Sequence, residues 1–257
     1  MPSARLLTLA LAGATSLALA TPAAAFASPT STGHRPAVAH TAKPAQHHGK
    51  PADPLAGPRK GALHALAAAT AAVQRVAASE QTSTVLGSAD KGTLAAFDAG
   101  ALTALSADVT AAGSATSPQA LAALIQAGNR TAQAVKLAGN VTNATDTDTA
   151  AITGLAADVA ALKDQEASLP AGTDTSSIDT PLADLAAQLS AAQTALSTAR
   201  TTVLALPAAP SAGDLRTARD ATGSALDSAE TALTTAATDL ATAKTALAAL
   251  TPPAAAA

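Results

Sequence analysis

The chain has no cysteine, tryptophan or tyrosine, its one methionine is Met1, and its two phenylalanines are Phe26 and Phe97. Without cysteine there is no disulfide framework, no thiolate nucleophile, no sulfur-based zinc site and no N-terminal cysteine for lipid attachment. Without tryptophan or tyrosine, the flat rings on which sugars and unpaired bases stack are missing. Charge is thin, at 13% of 257 residues. Gly61, Gly92, Gly100 and Gly128 stand alone, so no glycine-rich phosphate loop forms. No Gly-x-Ser-x-Gly turn is present to lift a serine nucleophile.

What remains is dominated by Ala, Thr and Leu. The first 27 residues have the form of a signal peptide. Arg5 supplies the positive end, Leu6 to Ala20 the apolar run, and Ala25-Phe26-Ala27 an A-x-A cleavage site that would leave Ser28 as the new N-terminus, with Ala23-Ala24-Ala25 as the second choice. The apolar run is short of the ~20 residues a membrane span requires. The expectation is a secreted, extracellular protein, either free or associated with the cell wall.

Residues 28–61 are rich in Pro, His and basic groups. Pro29, Pro36, Pro44, Pro51, Pro54 and Pro58 oppose a helix, and the segment reads as a disordered basic arm. Arg35, Lys43, Lys50, Arg59 and Lys60 outnumber its single acid, Asp53. Beyond Ala62 the balance reverses, with nine basic and seventeen acidic residues. The overall net charge of −3 therefore joins a basic arm to an acidic body.

From residue 62 to residue 250, Leu, Val and Ile recur at spacings of three and four, the period of amphipathic helices. The expectation is an all-α, antiparallel bundle of about six Ala-rich helices, with residues 251–257 as a short tail. The six fall at about 62–79, about 91–112, from Ser117-Pro118, from near Asp148, from Thr180-Pro181 and from Ser211. Ser117-Pro118 and Thr180-Pro181 pair a capping residue with a first-turn proline. Ser211 with Asp214 resembles a capping box. Gly128 and Gly139 are weak points within the third helix. In the last helix Leu226, Leu233, Leu240 and Leu247 fall every seven residues, with Ala229, Ala236 and Ala243 between them. Large residues alternating with Ala in this way suggest a coiled-coil-like helix–helix seam.

Sites that carry chemistry are sparse. His34, His40, His47 and His48 lie in the arm and only His64 in the body, too dispersed for a metal site. Asp146-Thr147-Asp148 begins like a calcium loop, but Ala157 stands where a bidentate acid is required. Asp164 and Glu166, two apart on a helix, diverge. No catalytic, metal or cofactor residue is assigned, and an acidic body whose one aromatic is Phe97 disfavours nucleic acid as a partner. The functional expectation is a non-enzymatic structural or interaction module at the bacterial cell envelope. Its seams would serve self-association or a partner helix. Arg35, Lys43, Lys50, Arg59 and Lys60 would attach it to anionic wall polymer or membrane surface. The alternative is a carrier that lays amphipathic helices on lipid or another apolar ligand.

Overall fold

A computed structural model describes residues 53–251. The expected signal peptide, with its cleavage residues Ala25 and Ala27, lies outside them, as do Arg35, Lys43 and Lys50 of the arm. The described residues form five helices, α1 (Ala56–Thr82), α2 (Ser88–Ser114), α3 (Pro118–Glu166), α4 (Ser176–Leu204) and α5 (Ala212–Leu250), and no strand. Consecutive helices pack on one another. The connection at 83–87 reaches at most ~17 Å, whereas 27 helical residues run about 40 Å. Consecutive partners must therefore run antiparallel.

The count of six is corrected to five. The third and fourth expected helices are one continuous helix of 49 residues, α3. No proline interrupts the chain between Pro118 and Pro170, and an isolated interior glycine costs only ~1 kcal/mol against alanine. Two of its glycines are sites of close approach. A Cβ on Gly128 would lie 2.6 Å from Leu66 Cδ2 and 3.2 Å from Leu105 Cδ2, and one on Gly139 would collide with the Glu80 carboxyl. What the sequence offers as weak points are the places where α1 and α2 lie against α3.

The arm also ends earlier than expected. Helix α1 begins at Ala56, so Arg59 and Lys60 are helical residues. Pro58 is its third residue, where the missing N–H has no intrahelical acceptor to lose. Helix α4 likewise starts ahead of Thr180-Pro181, at Ser176, and carries Pro181 inside it. The added turn buries Ile178 completely against Leu162, Leu182, Ala243 and Leu247.

Helix α3 is the spine. Its first half packs with α1 and α2 around Leu66, Val73, Leu105, Leu121 and Val135. Its second half packs with α4 and α5 around Ile152, Leu185, Leu196, Ala229 and Leu240. Where the two three-helix units meet, Leu86 and Leu94 join Ala138 and Val141 of α3, Ala199 and Val203 of α4, and Leu215 of α5. The most extensive pairing is α4 on α5. There Ala229, Ala236 and Ala243 are fully buried, Leu240 and Leu247 are buried, and Leu226 and Leu233 are half-buried. The deepest row of α5 is thus the alanine row, and side chains this small let two helix axes come close.

Candidate functional site

Of the residues expected to attach the chain to an envelope, the structure describes two. Lys60 is exposed. Arg59 is committed to the fold: its guanidinium donates to Asp53 at 2.6 Å and to the Ala115 carbonyl at 3.0 Å, tying the start of α1 to the α2–α3 connection. The only described histidine, His64, is exposed, and among the described residues no group of three or more His, Asp or Glu is placed to hold a metal ion. An open groove of ≈ 670 Å³ between the distal ends of α3 and α5 is lined by Asp158, Leu162, Gln165, Lys244 and Leu247. Its Lys244–Asp158 pair, at 2.8 Å, is half exposed and so contributes ~1 kcal/mol or less.

Two polar clusters inside the bundle carry more. The first is a pair of carboxyls, Glu80 at the C-terminal end of α1 and Asp98 in the middle of α2. They are 6% and 3% exposed. Among the described residues, no N–H or hydroxyl reaches any of their four oxygens. Each carboxyl has only the other as a partner, and a bond between two carboxyls requires that one hold a proton. Burial first, then the adjacent Asp98 carboxyl, push Glu80 up to about 8, and burial also raises Asp98. The Glu80 carboxyl rests over the bare backbone of Gly139 on α3. One turn further along α3, Thr142 is buried with its hydroxyl unpartnered. Chemically, the pair can hold and release one proton between helices.

The second cluster joins three helices around Arg200 of α4. Its guanidinium donates to Thr145 Oγ1 of α3 at 2.9 Å, forms an ion pair with Asp90 of α2 at 3.0 Å, and bonds the Asp146 carboxylate of α3. The second Asp146 oxygen accepts from the Gly87 N–H at 3.1 Å, fixing the α1–α2 connection. One cation therefore serves two carboxylates. Burial raises Asp90, an effect that Arg200 opposes and Asp146 reinforces. The arrangement is a structural tie at the junction of the two units.

Neither cluster stands out from composition. A sign of the first is nevertheless present in the sequence. Leu66, Ala69, Val73, Val76 and Glu80 continue one three-four row, and so do Leu94, Asp98, Ala101 and Leu105. An acid that takes a seam position within an otherwise apolar row is a buried acid. The Arg200 tie has no such local sign, because Arg200 and Thr145 are 55 residues apart in sequence.

Comparison with known proteins finds no match: no family model, curated protein or solved structure is similar to the chain.

Proposed function

We propose that the chain is an exported, non-enzymatic helical module that acts as a spacer and interaction element at the bacterial cell envelope. The observation that carries this reading is the division of charge, with basic residues concentrated ahead of an acidic helical body. Two features of the body support it. The continuous α3 would run about 74 Å at helical rise, a useful length for a spacer. On the exposed faces, Thr103, Thr110, Thr231, Thr238 and Thr245 turn their hydroxyls back to carbonyls of their own helices. At these positions that leaves methyl groups rather than free hydroxyls facing outward. The lipid-carrier reading has less support, because the leucine rows of α4 and α5 face inward.

The test replaces Arg35, Lys43 and Lys50 with Gln and leaves Arg59, which belongs to the fold, intact. At ~1 kcal/mol per basic residue near an anionic surface, envelope retention should fall about a hundredfold and lose its salt dependence. Unchanged retention and unchanged salt sensitivity would remove the attachment role.

A further inference from the structure

We propose that Glu80 and Asp98 share a single proton that fastens the end of α1 to α2 and α3, and that loss of this proton in alkaline medium releases the last turn of α1 and the connection at 83–87. This goes beyond the envelope role and is independent of it.

The geometry sets the terms. Both side chains are more than nine-tenths buried, no other donor among the described residues reaches them, and each faces the other. With one proton present, the protonated carboxyl donates to its ionised neighbour and the pair carries one negative charge. When base removes that proton to solvent, the pair carries two. Two adjacent carboxylates then lie side by side, the Glu80 carboxyl against Gly139, with no compensating cation among the described residues. Like charges this close cannot both remain ionised and buried. Glu80 also sits in the final turn of α1, the negative end of the helix dipole, where an ionised carboxylate is further disfavoured.

Charged groups on the surrounding elements are engaged elsewhere or turned outward. On α1, Arg75 is exposed and donates to the Ala71 carbonyl. On α2, the Lys91 ammonium donates to the Gln81 carbonyl at 3.0 Å, and Asp90 is paired with Arg200. On α3, Lys136 is exposed and Asp146 is held by Arg200. The segment expected to move is the last turn of α1 and the connection that follows it. It contains Leu86, which packs into the junction between the two units, and Gly87, tied to Asp146. Release would therefore be felt at that junction.

The experiment uses the full chain. Carboxyl-carbon NMR from pH 4 to 10 should show Glu80 and Asp98 titrating in two well-separated steps, the upper near about 8. Hydrogen exchange, corrected for its intrinsic pH dependence, should show the opening equilibrium of residues 78–87 rising about tenfold per pH unit above 4.5, where the opened Glu80 gives up its proton, and levelling off once pH passes about 8. In Glu80→Gln the amide donates to Asp98 at every pH, so the pH step should vanish. Titration of both carboxyls together in the ordinary range would overturn the proposal. So would exchange at 78–87 that does not respond to the upper step, or a pH step that persists in Glu80→Gln and in Asp98→Asn. Should either variant fail to fold, the wild-type titration and exchange decide alone.

Discussion

Two glycines of α3 differ only in what surrounds them, and their alanine variants should separate accordingly. Gly154 is exposed, and a Cβ added there would meet nothing within 4 Å, so Gly154→Ala should stabilise by about 0.4–1 kcal/mol. At Gly128 the same gain meets Leu66 and Leu105, both fully buried, and overpacking of ~1–3 kcal/mol should make Gly128→Ala destabilising. Thermal melts of the two variants should move in opposite directions. Arg200→Met should cost on the order of 2 kcal/mol, less than the ~3–5 of a fully buried pair because the guanidinium is partly exposed. It leaves Asp90 and Asp146 facing each other, so the deficit should shrink on acidification. The buried carboxyl pair fixes a further pH dependence. Glu80 is raised from 4.5 to about 8 on folding, so the folded chain keeps a proton that the unfolded chain gives up. Stability should be full below about 4.5 and fall as pH rises through about 8, and chemical denaturation at pH 5, 7 and 9 measures the fall. At this scale the sequence is only partly readable. The three-four rows reach Glu80 and Asp98, but that the two rows meet is a fact of packing. Gly128 and Gly139 look like helix breakers until the side chains that need their missing Cβ atoms are known.

At the scale of the element, helix ends are where local chemistry decides most. Ser211 accepts from the Asp214 N–H at 3.1 Å while Asp214 accepts from the Ser211 N–H at 2.8 Å, completing a capping box. Ser117 caps α3 by accepting from Ala120 at 3.1 Å, ahead of Pro118. Ser211→Ala should cost about 1 kcal/mol, read as a lowered denaturation midpoint with an unchanged slope. These two starts are legible because a cap is built from residues three apart. Interior continuity is not so local. Nothing within a few residues of Asn140, Asn143, Asp146 and Asp148 announces that the helix runs on. Their segment is held by partners on both sides: Arg200 from α4, Gly87 from the α1–α2 connection, and the apolar contacts of Ala138 and Val141. Helix α4 teaches the same lesson at its start, where burial of Ile178 carries the helix ahead of the proline expected to open it.

For the whole molecule, all-helical architecture was readable from periodicity, because every helix buries a row spaced at three and four. The division into two three-helix units on a shared spine was not, since it depends on which half of α3 each hairpin covers. The function proposed for the chain begins with export, and N-terminal sequencing of secreted material should begin at Ser28. It also requires an extended body, and that rests on α3. The chain has no native cysteine, so spin labels at Asn129→Cys and Lys163→Cys, both exposed positions on α3, report on that helix alone. A continuous helix places the two sites about 51 Å apart at 1.5 Å per residue. Two helices folded back on each other between them, with axes ~10 Å apart, would bring the labels within about 20 Å. A pulsed-EPR distance near the longer value is what the account predicts, and one near the shorter value would contradict it.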